Sequence, residues 1–455
     1  MSYQSLEDLL QTVASPVEVL RNSQTGPRVF PVVPPEFTNW IDEQRGWRES
    51  CALFDLSHHM ADLFMEGPDA IRLLSNLGVN SFENFEVNKG KQFVACNHDG
   101  YVIGDVILYY LDENRCDLVG RPSVHTWVQY NLETGGYDVT TEKDENSAIR
   151  QGPPKVFRYQ VQGPNALEVM EKVMGGPLPE IRFFNMAEIG IAGRKVRALR
   201  HGMAGQAGYE LSGPWEYGEE VKGAIVEAGR DYGLRQVGTV AYQTATAESG
   251  WIPCPLPAIY TGEKLKAYRE WLPANGYEGM ASLGGSFYSD DITDYYLTPY
   301  DLGYGGLVKF DHDFVGREAL AEMADNPRRE KVTLVWNGED VTRVFGTLFG
   351  EGDPAKYIDF PSIWYSVLQY DEVLKDGDSV GVSTYGGYSY NERAMLSLAC
   401  IDVKHSEPGT EVTLLWGEEP NSVKPQVERH VQTEIRATVA PVPYAESVRT
   451  AYRTT

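Results

Sequence analysis

RHGMAGQAGYELSGP, Arg200 to Pro214, and AYQTATAESGWIP, Ala241 to Pro253, are the two ends of the stretch around which this chain is organised. Between them, Val221, Ala224, Ile225, Ala228 and Tyr232 keep the i, i+3, i+4, i+7 spacing of a helix with one buried face, and Gly233 stops it. The first end sets a single carboxylate, Glu210, in a strand-like YEL directly after a glycine-rich loop. The second sets a phenol, Tyr242, ahead of the indole of Trp251. An acid, a phenol and an indole gathered by one strand–helix–strand unit suit a planar heterocycle. The residue types alone are explained more simply by an edge-strand carboxylate, a core tyrosine and a packing tryptophan.

Working outward, 455 residues are enough for two or three domains. No run reaches the roughly 18 to 20 apolar residues of a membrane span. The N-terminal MSYQSLEDLLQTVAS is acidic and amphipathic, without the basic start of a signal peptide. Sixty-five acidic residues against 40 basic ones give a formal charge of -25. That speaks against general binding to nucleic-acid backbones, and it requires local cations to draw in any anionic substrate. The five cysteines, at 51, 96, 116, 254 and 400, are odd in number and form no C-x-x-C pair. They predict reduced thiols in a cytoplasmic protein, with neither a disulfide framework nor a zinc site.

The pattern predicts helices over 5–14 and from Trp40 to Cys51, separated by an extended PVVPPEF. In MEGPDAIRLLSNLG it predicts strand, turn and helix, with Pro68 in the first helical position. The device returns in VQGPNALEVMEKVMG, and more loosely in FDHDFVGREALAEM. KQFVACN, YVIGDVILYYL and CDLVGR read as strands, and residues 243–300 as long loops around a site. From about Lys331, KVTLVWNGED, SVGVSTYGGYSYN, MLSLACIDV and EVTLLWGEE predict a C-terminal β-domain, partly barrel-like.

Metal chemistry finds little support. His58 and His59, read as strand neighbours, point to opposite faces, and Asp311-His312-Asp313 reads as a solvated loop. No catalytic metal is expected. HGMAGQAG lacks the G-x-G-x-x-G order and a Walker lysine, so its glycines suit a tight turn or a close approach to a flat ligand.

GYELSGP with its following helix resembles the folate-binding segment of the aminomethyltransferase family, and DLGYGGLVKFDHDFVGREAL resembles another segment of that family. Longer stretches, RNSQTGPRVFPVVPPEFTNW, FDLSHHM, HGMAGQAGYEL, ESGWIP and LPAIYTGEKLKAYREWLPAN, resemble its tetrahydrofolate-dependent aromatic O-demethylases. The resemblance implies an α+β fold. It comprises a discontinuous aminomethyltransferase-like body over 1–330, in two subdomains that bind folate and substrate, and a C-terminal β-domain over 331–455. It also implies methyl transfer from a methoxybenzoate to tetrahydrofolate, with a small aromatic acid and tetrahydrofolate as the partners.

On this resemblance Glu210 accepts two N–H bonds from the pterin, its two oxygens matching two parallel donors. Gln160 lies along the folate, with Gln162 as its competitor, and Trp251 walls the pocket. Asp105 in VIGDVIL matches a catalytic-site aspartate near the reacting nitrogens. Gly104 stands where amine-transferring members have a second aspartate, which speaks against amine chemistry. Arg121 is expected to hold the benzoate carboxylate, the other reading being a surface or ion-pair arginine. His59 is expected near the substrate, or else as a hydrogen-bonded core histidine. Tyr242 is expected to protonate the departing phenolate, since an ordinary tyrosine pKa of about 10 matches that of a phenol. Phe30 and Leu56 are apolar where vanillate-type members carry a tyrosine and a glutamine. They predict a preference for syringate, with its second methoxy group, unless both are simply core. Two other readings are a non-aromatic methyl donor and a non-catalytic folate-binding regulator, which would keep Glu210 without needing Arg121 and Tyr242.

Overall fold

The computed structural model describes residues 3–26, 30–253, 255–419 and 422–450. Cys254 and residues 27–29 of the RNSQTGPRVFPVVPPEFTNW stretch lie outside the described residues. Two sheets and a barrel carry the fold. The first sheet has six strands in the order Leu234–Val237, Cys51–Asp55, Val156–Gln162, Gly208–Pro214, Arg194–Arg200 and Met186–Ile191. Val156–Gln162 runs antiparallel to both neighbours, with Gln160 opposite Glu210. Alternation along that strand sorts its side chains between two faces. Phe157, Tyr159 and Val161 pack with Leu53, Leu211, Val169, Val221 and Ile225, beneath the helices Ala166–Met174 and Gly218–Gly229. Arg158, Gln160 and Gln162 fall on the other face, and all three are buried.

The second sheet has five strands in the order Gly90–Cys96, Val102–Asp112, Arg115–Gly120, Ala61–Glu66 and Thr140–Asp144. Its outer face is covered by the helices Ala70–Leu77 and Pro122–Gly135. The first presents Ala70, Leu73, Leu74 and Leu77, one apolar stripe, to Leu63, Phe93, Leu108 and Leu118. Its inner face meets the first sheet, where Tyr109 and Val119 pack against Met186 and Leu199. Asp62 and Asp117 reach Arg158 across the same gap.

Of the three expected strand–turn–helix units two form, and in each the helix starts two residues after the proline, at Ala70 and Ala166. Pro68 therefore lies in the turn and not in the first helical position. The glycine is what the turn requires: Gly163 has φ 128°, and a Cβ there would stand 2.7 Å from the Ser50 carbonyl oxygen. In the third copy Arg317–Met323 is helical, but no strand precedes it at 308–314.

The barrel is closed, in the order Arg329–Trp336, Ala394–Asp402, Asp378–Ser389, Asp371–Lys375, Glu411–Trp416 and Thr433–Ala440. Leu334, Val373, Leu414, Trp416 and Ile435 fill it. Sequence reading missed two of its strands, Asp371–Lys375 and Thr433–Ala440. It also ran one strand too far: after Trp336, Asn337 caps the helix Gly338–Thr347 by accepting from the N–H groups of Glu339 and Asp340. The barrel is packed into the body. Tyr370 and Val382 share a core with Leu256, Tyr260 and Tyr295, and Leu368–Gln369 pairs with Leu283–Gly284. Cys51, Cys96, Cys116 and Cys400 are free and buried. Among the described residues no helix is long and apolar enough to cross a membrane.

Candidate active site

A cavity of about 1270 Å³ opens beside the inner faces of the two sheets and extends to the barrel. Phe30, His59, Asp105, Arg121, Glu210, Tyr242 and Trp251 all line it. Gln160 and Leu56 are not among the residues that line it. Gln160 is fully buried beneath the wall, where its amide nitrogen donates to the His201 carbonyl at 2.7 Å. Gln162 accepts from the N–H groups of Met203 and Ala204, at 2.8 and 3.3 Å. Both glutamines brace the glycine-rich loop. Leu56 packs in a core cluster with Trp47, Phe54, Ala204 and Ala241.

Glu210 sits at mid-strand on the inner face. One of its oxygens, Oε1, accepts from the Tyr109 hydroxyl and, at 3.0 Å, from Arg158. Arg158 also reaches Asp62 at 2.6 Å and Asp117 at 3.4 Å, all of them buried. Burial, then the charge on Asp62, pushes the Asp117 carboxyl well above the usual carboxylate range. Burial and the charge on Glu210 push the Tyr109 phenol up, which keeps it a donor. The carboxylate of Glu210 is thereby held by one edge. Its other oxygen, Oε2, takes part in neither bond.

Asp105 is held in the same one-sided way. Its Oδ2 accepts from Trp251 at 3.0 Å, from Tyr304 at 2.9 Å and from Gln92. Its Oδ1 is buried with no partner among the described residues. Burial raises this carboxyl above its ordinary value, and the three donors oppose the rise. Gly104 next to it faces the other way: a Cβ there would stand 2.9 Å from both Ser123 Oγ and Val124 Cγ2 on the covering helix. That close packing suits glycine at this position.

Tyr242 ends the helical turn Thr239–Tyr242, which follows directly on the strand Leu234–Val237. Its hydroxyl lies 2.8 Å from His59 Nε2, and the Phe30 ring stands 5.0 Å from each of the two rings. The two adjacent histidines occupy a turn and not a strand, yet they diverge. His58 bonds Ser147 at 2.9 Å and meets the edge of Trp215. Arg121 follows the strand Arg115–Gly120 and precedes Pro122, which holds it extended at φ -91°, ψ 151°. It is buried in the cavity wall and donates to the Tyr385 hydroxyl of the barrel at 3.0 Å.

Arg158, buried and bonded to Glu210, and Phe184, in the cavity wall, escaped the sequence reading. Arg158 was legible in RYQVQ, where a strand alternates three polar residues with apolar ones and so turns a polar face inward. Phe184 was not. It holds φ 56°, fixed by backbone bonds to Arg200 and Gly90. Lys91, Arg329 and Lys331 add local cations to the cavity of a strongly acidic chain.

Residues 20–254, which hold every expected site residue, match the GCVT N-terminal domain family, and the chain belongs to that family. Over 451 residues it is 52% identical to the syringate O-demethylase of Sphingobium sp. (strain NBRC 103272 / SYK-6), covering 98% of this chain and 97% of that one. It is 32% identical over 431 residues to the sesamin methylene transferase of Sinomonas sp. (strain No.22), covering 91% of each. The glycine cleavage system aminomethyltransferase T from Bartonella henselae shares the fold. Its TM-score is 0.62, over 94% of this chain and 95% of that one, at 18% identity.

Proposed function

We propose that this chain is a tetrahydrofolate-dependent O-demethylase. It moves a methyl group from a methoxybenzoate, syringate foremost, to tetrahydrofolate and leaves 5-methyltetrahydrofolate and the free phenol. The observation that carries the reading is a single cavity holding both a carboxylate with one edge engaged, Glu210, and a histidine-bound phenol, Tyr242. The extensive identity with a syringate O-demethylase supports the same substrate class.

The residues present fit the cofactor. Glu210 offers the free edge, Trp251 and Phe184 offer flat walls, and the cavity is ample for a large ligand. Tetrahydrofolate, when bound, supplies the nucleophilic nitrogen that takes the methyl group. The chain's own residues bind, orient and manage protons. Arg121, steadied by Tyr385, holds the substrate carboxylate bidentately. Tyr242 donates its phenolic proton to the oxygen that loses the methyl, and His59 orients that hydroxyl. Asp105, with Oδ1 unengaged, accepts the proton that the nitrogen loses. One carbon–oxygen bond breaks and one carbon–nitrogen bond forms. The proton count closes without a redox partner.

We divide the working parts near residue 330, into a body that binds folate and substrate in two subdomains and a barrel that backs Arg121. The free, buried cysteines support a cytoplasmic location. A folate-binding regulator would have no use for Arg121 and Tyr242 facing one cavity. The test is incubation with tetrahydrofolate, a chelator and a panel of syringate, vanillate and 3-O-methylgallate, followed by mass analysis of both products. Paired appearance of the free phenol and 5-methyltetrahydrofolate is expected. Phenol formed without tetrahydrofolate overturns the reading.

A further inference from the structure

We infer that His201 is a second contact to the heterocycle that Glu210 receives, and that Gln160 positions it. This rests on reading the cavity as a folate site. His201 directly follows the strand Arg194–Arg200, and its N–H donates to the Gly208 carbonyl at 3.1 Å. The bond continues the register in which Arg200 faces Tyr209, so His201 stands opposite Gly208. Side chains on a strand alternate, which puts His201 on the same face as Glu210 and diagonal to it. Diagonal neighbours on an antiparallel pair lie about 7–8 Å apart. Two polar groups so spaced on one wall suit two positions along the rim of one flat ring system.

The chemistry of the side chain agrees. The half-buried imidazole lines the cavity, with its ring 5.2 Å from Phe184. Its Nδ1 is buried without a partner among the described residues, so no bond at that nitrogen fixes which nitrogen carries the proton. A ligand bonded at the other nitrogen would fix it. Burial lowers the basicity of the ring, against the pull of Glu210, so His201 stays neutral near pH 7. A neutral imidazole has one donor and one acceptor and adds no charge beside Glu210.

Gln160 supplies the positioning. It lies directly across the strand pair from Glu210, is fully buried, and donates to the His201 carbonyl. One strand thus sets both contacts. The Gln162 bonds to Met203 and Ala204 fix the chain immediately beyond.

The experiment titrates 5-methyltetrahydrofolate into the wild type, Glu210→Gln, His201→Phe, His201→Gln, Gln160→Leu and the Gln160→Leu, His201→Phe double variant. Heat of binding or tryptophan quenching gives the dissociation constant, and a thermal melt is run for each protein. His201→Phe keeps an aromatic ring against Phe184 and is expected to melt as the wild type does while binding about 10-fold more weakly. His201→Gln should recover part of the loss, and syringate affinity should hold in both. Gln160→Leu should weaken binding in the wild-type background but add little to His201→Phe, the non-additivity expected of a residue acting through another. Undiminished binding by Glu210→Gln sinks the folate reading itself. If Glu210→Gln binds weakly but His201→Phe binds like the wild type, the assignment to His201 is overturned. Fully additive losses for Gln160 and His201 overturn the positioning role.

Discussion

His59 and Tyr242 meet at 2.8 Å from two distant parts of the chain. Apart from that bond, Phe30 and Phe54 stand against the Tyr242 ring and hold it in place. Tyr242→Phe should therefore keep substrate and folate affinity while lowering kcat by roughly 100-fold or more, as steady-state kinetics beside equilibrium binding would show. A variant turning over at the wild-type rate would move the acid elsewhere. Phe30 and Leu56, paired in the sequence reading, part company in the structure. Phe30→Tyr alone should shift the ratio of kcat/KM for syringate and vanillate toward vanillate, by at most about 10- to 200-fold. Leu56→Gln should leave that ratio alone and cost about 1–3 kcal/mol of stability, because it places an amide in an apolar cluster. Competitive turnover and denaturant melts separate the two. Phe30, His59, Glu210 and Trp251, all in the long motifs, line the cavity. Leu56, in the same FDLSHHM stretch as His59, does not, because a motif marks a neighbourhood and cannot say which side chain faces a ligand.

Elements were legible where one face is apolar and the other is not. The helix Gly218–Gly229 and its stop at Gly233 follow the spacing read from the sequence. The helix Pro122–Gly135 escaped, because nearly all of its first half is buried whether polar or apolar: Ser123 and His125 lie inside with Val124 and Val128. The strand Asp371–Lys375 escaped for its charge, since Asp371 is buried. Among the barrel strands, Asp378–Ser389 supplies the bond to Arg121. It carries Tyr385, which bonds Arg121 and meets the edge of Trp364 in the cavity wall at 4.6 Å. Tyr385→Phe frees the guanidinium from one restraint. KM for syringate should rise roughly 2- to 10-fold, while KM for its uncharged methyl ester and for tetrahydrofolate stays put. Parallel kinetics on the acid and the ester decide it, and equal rises on both would assign Tyr385 to general packing.

At the scale of the whole molecule, a chain of charge -25 keeps Lys91, Arg121, Arg329 and Lys331 around one cavity, so an anion is attracted locally against a repulsive field. Body and barrel are joined by polar contacts as well as by a shared core. Asp371 accepts from the Ser286 N–H at 3.2 Å and from Gln369 at 2.8 Å, and burial pushes its carboxyl up to about 7. An unfolded aspartate titrates near about 3.9. Between those values the folded chain holds a proton that the unfolded chain has released. The stability from this group is therefore full below about pH 4 and is lost as pH rises to about 7, by at most about 4 kcal/mol. Asp371→Asn should flatten that part of the profile, which denaturant midpoints at about pH 5.5 and 8 would reveal. A parallel slope in the variant would exclude Asp371 as the cause. The cavity also has a history in biosynthesis. Phe30 is among the first of its residues to be made, and Val448 and Arg449 line the same space. At about 5–20 residues per second, a ribosome finishes the last strand of the first sheet at Val237 roughly 10–40 s before it reaches Arg449. Throughout that interval the nascent chain owns both sheets and lacks part of a wall, so the complete pocket is not there to template their folding and awaits synthesis as far as Arg449.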